Sequence, residues 1–337
     1  MKGHKRYIAV LFLIFALIGA YVGYWYYAMG KAKEAFAAAV ASERAQGNTL
    51  DFKSVEWGGF PIRISATIQG LRYAGHGYEA DADIMMAEVL PWNPTHALIR
   101  ADGNVRLASR LPDRVEWIEF RPETMIASLR VTFGGLLEGA DVEFRQVRSD
   151  GTDFDGNDFS FNAARLQGDI IYLPSTDKPI NEYSRDAANL AFSADQLLIS
   201  DGFAPTLGPR ISTIRIAAKL SGLPLISQNS PFNDPRFKRS DYMLDIARLD
   251  FDWGGVSAKG NGKLKLDDVA RPAGDLDFKI IGLGKLIEAL RANGTLQAPA
   301  SVEGLPDVPG GTPISLAIEN GRVTFGPFLV GTVGAID

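Results

Sequence analysis

A run of 21 residues near the N terminus, Tyr7–Tyr27, contains no charged residue and no proline. At about 1.5 Å per residue, a helix of this length extends about 30 Å, which matches the hydrocarbon core of a bilayer. A buried helix of a soluble protein is rarely apolar on every face over such a length. The run therefore predicts a transmembrane anchor over residues 7–27, with the rest of the chain on one side of a membrane.

The residues that flank the run predict its orientation. Lys2, Lys5 and Arg6 precede it, and the positive-inside rule keeps such residues in the cytoplasm. Tyr24–Tyr27 form an aromatic cluster at the other end, which is typical of the headgroup level of a membrane. We therefore expect residues 1–6 in the cytoplasm, a single crossing of the inner membrane, and the main domain in the periplasm.

A cleaved signal peptide is the alternative interpretation of this run. Cleavage requires small residues, whereas the bulky Trp25–Tyr27 occupy the approach to Ala28–Gly30, so the sequence favours a retained anchor. The Ala-rich segment Lys31–Gln46 favours a helix, and Gly47 is a typical helix end. We expect a juxtamembrane helix over 28–47 that continues the anchor and holds the domain away from the membrane.

The charge of the chain restricts its partners. The 337 residues carry a formal net charge of −5, and because residues 1–30 contribute +3, residues 31–337 carry −8. An acidic body argues against a nucleic-acid partner, which requires a basic surface. The sequence contains no Cys, so it offers neither a thiol nucleophile nor a zinc–thiolate site.

Beyond Gly47 the apolar residues recur with a period of two, which is typical of β-strands. The predicted fold is mainly β, a long curved antiparallel sheet that forms a groove or an open barrel-like shape, with a few helices. One amphipathic helix is expected over 283–293, and one or two more within 181–200. The predicted strands lie at 63–68, 98–107, 115–120, 125–131, 137–147, 211–220, 249–253, 256–266 and 276–280, and a closing hairpin is predicted over 314–330. The predicted turns lie at 58–59, 75–77, 102–103, 134–135, 150–151, 254–255 and 320–321.

Residues 48–337 form one predicted envelope domain, in which two sheet modules, about 48–175 and 240–337, are distinguished. Val55–Gly59 (VEWGG) resembles Phe251–Gly255 (FDWGG), and an alternating strand follows each. Seven prolines between positions 174 and 235 are typical of a linker. Chance similarity of five residues explains the repeat as well as duplication does.

Three segments carry a family resemblance. They are Trp57–Ile64 (WGGFPIRI), Leu249–Leu290 (beginning LDFDWGG) and Ile318–Gly331 (IENGRVTFGPFLVG). Together they resemble DUF2125, a bacterial envelope family of unknown function. More distantly, the pattern is similar to AsmA-like proteins, which resemble membrane-tethered β grooves linked to outer-membrane assembly and lipid movement. The resemblance implies a fold and a location, and it implies no catalytic residues.

The sequence shows no motif of known catalytic or cofactor chemistry, such as a nucleophile elbow, a phosphate-binding loop or a zinc-binding H-E-x-x-H. His4 lies across the anchor from His76 and His96, so the three cannot form one metal site. Asp153–Asp158 has the alternating oxygen ligands of a calcium loop, but position 164 is Ala where such a loop needs Glu, which favours a solvated turn. We expect no catalytic residues, no metal and no cofactor.

An apolar sheet face must be covered, and few helices are predicted that could cover it. Either the sheet closes on its own side chains, or it leaves an apolar groove that fits acyl chains. Our hypothesis is a membrane-anchored, non-catalytic envelope protein that binds or moves lipid in such a groove. The predicted groove residues are Trp57, Phe60, Ile62, Ile64, Leu249, Phe251 and Trp253.

Two other functions stay open. One is a scaffold that binds another envelope protein through a sheet edge, which needs no cavity. The other is a hydrolase, which would need a polar cleft in which carboxylates lie close to His96. The expected partners are therefore the inner membrane, lipid and envelope proteins, without nucleic acid.

Overall fold

The computed structural model describes residues 2–75, 77–110, 117–133, 137–152, 158–173, 186–199, 206–223, 242–267, 271–292, 308, 310–325 and 328–334. Over these residues the chain forms a long N-terminal helix, α1 (Lys2–Ala45), and one antiparallel sheet of 17 strands. A short helix, α2 (Leu283–Ala292), follows the fourteenth strand. The prediction of a mainly β chain with one long antiparallel sheet and few helices is confirmed.

The strands, in chain order, are β1 (Thr49–Asp51), β2 (Ser54–Gly58), β3 (Ile64–Gly75), β4 (Tyr78–Leu90), β5 (Asn93–Arg110), β6 (Trp117–Arg121), β7 (Thr124–Val131), β8 (Leu137–Thr152), β9 (Asp158–Leu173), β10 (Asp186–Ile199), β11 (Arg210–Leu223), β12 (Met243–Trp253), β13 (Val256–Leu266), β14 (Pro272–Ile281), β15 (Thr312–Glu319), β16 (Arg322–Phe325) and β17 (Phe328–Thr332).

The sheet is a meander, since most strands pair with their neighbours in the sequence. At two places in the sheet, two short strands together occupy the place of one long strand. β1 and β2 both pair with β3, and β6 and β7 both lie between β5 and β8. The predicted Asn320-Gly321 turn joins β15 and β16, with φ values of 52° and 75°. Because β10 and β11 pair on both sides, the sheet is continuous where a linker between two modules was expected.

One face of the sheet is apolar across almost its full width. One row of cross-strand neighbours crosses twelve strands, from β2 to β14, without a polar member. At about 4.8 Å per strand, this row extends roughly 50 Å. We call this side the apolar face and the opposite side the polar face. The row consists of Val55, Ile68, Met85, Ala101, Met125, Phe144, Leu166, Ala194, Ile214, Phe251, Ala258 and Ile280.

A line of irregular positions crosses neighbouring strands, and we call it the crease. Gly70 and Gly103 have positive φ values of 61° and 86°, and so do Gln146 and Gln196, at 48° and 50°. Each of the four residues lacks a cross-strand partner in the pairing cited, although the pairing continues on both sides of it along the strand. The same line passes through Pro122–Glu123, between β6 and β7. Since bulged residues bend and twist a strand, a line of them bends the sheet as a whole.

Helix α1 is continuous from the predicted anchor into the juxtamembrane segment. It ends before Gly47, whose φ of 86° fits a helix C-terminus. The Phe36 ring lies 5.7 Å from that of Phe52 and 5.8 Å from that of Trp57, so the second half of the helix packs on the sheet. The juxtamembrane helix therefore lies along the domain. Among the described residues, one helix, Val10–Ala45, is long and apolar enough to cross a membrane, which is consistent with a single-pass anchor.

Three local predictions were wrong. Positions 102–103 and 150–151 are not turns, because β5 and β8 run through them. Gly103 allows a bulge within β5, with a φ of 86°. Gly151 allows close strand contact, because a Cβ there would lie 2.4 Å from the Trp117 carbonyl oxygen. Residues 186–199 form β10 and no helix, since their apolar residues alternate with period two. The turn predicted at 134–135 lies outside the described residues.

Candidate functional site

Within the described residues, helices cover the apolar face only at its two ends. At the first end Trp25 and Met29 of α1 are buried against Ile64 of β3. Trp25 Nε1 also donates a hydrogen bond to the Arg63 carbonyl oxygen at 3.1 Å. An indole that is buried with its N–H satisfied fixes the position of the helix on the sheet.

At the other end the predicted amphipathic helix, α2, lies on the apolar face. Leu283 and Ile287 are buried in one cluster with Val256, Ala258 and Ile280 of β13 and β14. Because both helices lie on the same face of the sheet, that face is the interior side of the fold.

Val89 of β4 still packs in the α1 cluster, but from β5 to β11 no described helix lies on the apolar face. Along the crease the small residues Ala163 and Ala194 pack with Val147 and are almost fully buried. Away from the crease, Leu129 is 36% exposed and Phe192 is 41% exposed. Leu98 on the polar face is 49% exposed, so the apolar face is distinguished by its unbroken apolar row rather than by exposure alone.

Four of the seven predicted groove residues lie near α1. Ile64 is buried beneath the helix, and the Trp57 ring packs against Phe36. Phe60 and Ile62 precede β3 and are 51% and 62% exposed, so they lie in the loop that leads to the face.

The other three lie on β12, at the opposite end of the sheet. Phe251 and Trp253 pack against the cluster that contains α2, while Leu249 is a cross-strand neighbour of Gly260. The two sets of predicted residues therefore lie at separate clusters, and no described contact joins them. The open part between them was missed because alternation identifies an apolar face but not which part of it lacks a cover.

Exposed apolar side chains surround the α1 end of the sheet, next to the end of the predicted anchor. Tyr24 Oη donates a hydrogen bond to the Pro91 carbonyl oxygen at 2.7 Å, and the adjacent Trp92 is 59% exposed. The Phe60 ring lies 5.3 Å from the Trp25 ring in an edge-to-face contact. This arrangement is typical of residues at the level of lipid headgroups. We call Phe60, Ile62 and Trp92 the rim.

The crease forms a groove of about 1720 Å³, lined by charged and polar side chains together with small apolar residues such as Ala82, Val147 and Ala163. One wall of the groove is a row of side chains on nine neighbouring strands, five of which contribute arginine. We call it the arginine row. In order, it consists of Asp51, Arg72, Asp81, Arg106, Arg121, Arg148, Asn162, Leu198 and Arg210.

Carboxylates hold the centre of the arginine row. Glu119, Asp81 and Glu79 accept hydrogen bonds from Arg106 and raise the pKa of its guanidinium further above the ordinary value. Arg121 pairs with the same Glu119 and, at 2.8 Å, with Asp150. These side chains are therefore ordered in register on the wall of the groove.

His96 has a hydroxyl neighbour on the adjacent strand. Its Nε2 lies 2.9 Å from Ser128 Oγ, with His96 on β5 and Ser128 on β7. An imidazole beside a hydroxyl provides two members of a catalytic triad, the base and the nucleophile. The third member is an acid that orients the imidazole ring. Among the described hydrogen bonds none reaches the second ring nitrogen of His96. His76 and residues 153–157 of the acidic loop lie outside the described residues.

A family model covers almost the whole chain. It is described as an uncharacterized protein conserved in bacteria (DUF2125), and it matches residues 25–333. The chain belongs to DUF2125. No curated protein and no solved structure matches it significantly.

The DUF2125 match begins within α1, at the buried Trp25. It thus includes the part of the helix that packs on the sheet, and it leaves out most of the apolar run before it. The match also includes both ends of the apolar face and the whole arginine row. The resemblance that three sequence segments indicated is confirmed over nearly the full length.

Proposed function

We propose that this DUF2125 chain is a single-pass envelope protein that holds lipid acyl chains on its apolar face and catalyses no reaction. The observation that carries the proposal is the apolar row across twelve strands, whose middle part is not covered by any described helix. A wide, curved apolar surface of this kind suits long hydrocarbon chains. The distant resemblance of the sequence pattern to AsmA-like proteins favours the same class of function by analogy of fold.

The energetics favour hydrocarbon over water on this face. Each methylene group that leaves water contributes about 0.8 kcal/mol. The row presents no polar side chain that an acyl chain would leave without a hydrogen-bond partner. Phe192 and Leu129, which are partly exposed, are the residues we expect an acyl chain to cover first.

The position of α1 supports a route from the bilayer. The apolar run ends where Trp25 packs on Ile64, which is itself a member of the apolar face. Phe60 and Trp92 of the rim lie at the same level and are exposed. A lipid that leaves the membrane along α1 would therefore meet apolar side chains without crossing a polar barrier.

A scaffold that binds an envelope protein is the alternative function. In the described part of the sheet, β17 pairs on one side only, with β16, and so offers an edge for strand addition. The strand has only five residues, and short edges limit such pairing. The lipid proposal therefore has the stronger physical basis.

The proposal is tested with the full-length protein in liposomes of phosphatidylcholine that carries a photoactivatable diazirine in one acyl chain. After illumination, cross-linked peptides are mapped by mass spectrometry. We expect cross-links on the apolar side of β8–β10, around Phe144 and Phe192, in addition to those on α1. Cross-links confined to α1 and the rim would refute lipid binding on the sheet.

Two variants on one strand make the test specific. Phe192→Asp places a charge on the apolar face, and we expect it to reduce the β8–β10 cross-links at least fivefold. Ser193→Asp places the same charge on the polar face, opposite Arg215, and serves as the matched control. Equal cross-linking of the two variants would contradict the proposal, and capture of a protein at β17 in place of lipid would favour the scaffold.

A further inference from the structure

The arginine row contains a repulsive arrangement that the sheet register imposes. Arg121 and Arg148 are direct cross-strand neighbours on β6 and β8. Like charges at such positions are destabilising unless another group compensates them. Arg121 has two carboxylate partners, Glu119 and Asp150, whereas no described carboxylate forms an ion pair with Arg148.

A second pair of arginines on the same sheet shows how such repulsion is relieved elsewhere. Arg145 and Arg165 are also direct neighbours, on β8 and β9. Both donate hydrogen bonds to Glu143, which lies between them, at 2.6 and 2.5 Å. Arg148 lies three residues from Arg145 on the same strand, yet it faces the groove with no such anion among the described residues.

Arg210 is in a similar position at the far end of the row. It is exposed, it lines the groove, and no described carboxylate forms an ion pair with it. Asn162 and the exposed Leu198 lie between Arg148 and Arg210, so the backbone positions of the two arginines are three strands apart, or roughly 14 Å. Of the charged side chains in the groove lining, six are basic and four are acidic, while Glu79, Glu119 and Asp150 beside the lining pair with Arg106 and Arg121. Arg148 and Arg210 thus differ from the arginines at the centre of the row, which carboxylates neutralise.

We propose that the arginine row binds phosphate groups, with Arg148 and Arg210 as the principal ligands. A guanidinium group donates two parallel hydrogen bonds to an oxyanion, and a phosphate has enough oxygens to accept from more than one donor group. A phosphate at Arg148 would also supply the negative charge that the Arg121–Arg148 pair lacks. Gln146 and Gln196, held at positive φ on the crease, place further amide donors beside the same groove.

Phosphate groups reach such a groove from two sources, a phospholipid headgroup or a soluble phosphate compound. The site lies on the polar wall, and none of its residues belongs to the apolar row. The proposal is therefore independent of acyl-chain binding, and either one can fail without the other.

The test uses the full-length protein in phosphatidylcholine nanodiscs and isothermal titration calorimetry with two probes. The probes are inorganic tripolyphosphate and dihexanoyl phosphatidic acid below its micelle concentration. We expect the variant Arg148→Gln/Arg210→Gln to weaken binding of at least one probe by roughly tenfold or more, the usual loss for a charge-assisted hydrogen bond. A preference for tripolyphosphate identifies a soluble source, and a preference for phosphatidic acid identifies a headgroup.

The matched control is Arg145→Gln, which removes one arginine from the same strand outside the groove lining. Thermal unfolding of all variants verifies that each one folds, which is expected because Arg148 and Arg210 are exposed. The proposal is overturned if neither probe binds the wild-type protein, or if the control weakens binding as much as the double variant does.

Discussion

At the scale of single residues, Glu143 is the carboxylate whose ionisation matters most clearly to the sheet. Arg145 and then Arg165 lower its pKa by donating hydrogen bonds to its carboxylate. A carboxyl group with a depressed pKa in the folded state stabilises the fold above its unfolded pKa. That stability is lost as the pH falls through the folded value.

The variant Glu143→Gln should therefore change the response to acid. We expect the wild-type protein to lose stability below about pH 4, where an ordinary glutamate also becomes protonated, and the variant to lose less. At neutral pH the variant should be less stable by about 1 kcal/mol, because two facing arginines lose their shared anion. Thermal unfolding of the full chain from pH 3 to pH 8 measures both effects.

Gln167→Ala is the control for this pH experiment. It removes an uncharged acceptor of Arg165 from the same site. The loss of stability of this variant below about pH 4 should therefore be as large as that of the wild type. If Glu143→Gln loses as much stability below about pH 4 as the wild type does, Glu143 does not couple pH to stability.

At the scale of elements, two glycines near the α2 end of the sheet have opposite roles. Gly254 turns the chain between β12 and β13 with a φ of 58°, and a Cβ there would lie 2.2 Å from the Leu207 carbonyl oxygen. Gly284 lies in the first turn of α2, and a Cβ there would meet nothing within 4 Å. One glycine is thus required by the turn geometry, while the other only lowers the helix propensity.

Alanine at these two positions should change stability in opposite directions. Gly254→Ala is expected to destabilise the protein by about 2 kcal/mol or more, because it adds both a clash and backbone strain. Gly284→Ala should stabilise it by about 0.5 to 1 kcal/mol, because alanine favours the helix. Denaturant unfolding in mild detergent measures the two values. Loss of stability in Gly284→Ala would contradict the placement of this residue on an open side of α2.

At the scale of the whole molecule, the orientation across the membrane decides which compartment the two faces of the sheet meet. The basic residues before the apolar run predict a cytoplasmic N terminus. Since α1 packs directly on β1–β3, the sheet must lie on the same side as the C-terminal half of that helix. Both proposed ligands must then be reached from that compartment.

Single cysteines test this orientation, because the natural sequence has none. We expect Ser42→Cys, at an exposed position late in α1, to react with a membrane-impermeant maleimide added to cells with a permeabilised outer membrane. Gly3→Cys should react only after the inner membrane is also disrupted. Labelling of Gly3→Cys in cells with an intact inner membrane would reverse the proposed topology.

Several features of this protein could be read from local pattern. The uncharged run at 7–27 predicts a helix, and period-two alternation in segments such as 211–220 and 249–253 predicts strands with one apolar side. The Asn-Gly turn at 320–321 and the amphipathic helix at 283–293 depend on residues close together in the chain, and both are present. The turns predicted at 102–103 and 150–151 were wrong because glycine also permits bulges and close strand contacts.

The sequence by itself determined that the chain has an apolar helix and a sheet with one apolar side, because hydrophobic periodicity is a local property. Only the tertiary structure decided which part of that side the helices leave open and which side chains meet along the crease. Arg72 and Arg210 line one groove although 138 positions separate them, because seven successive strand pairings lie between their strands and each depends on the register of the one before. No local pattern contains that register, so the open face and the arginine row emerge only when the sheet is assembled.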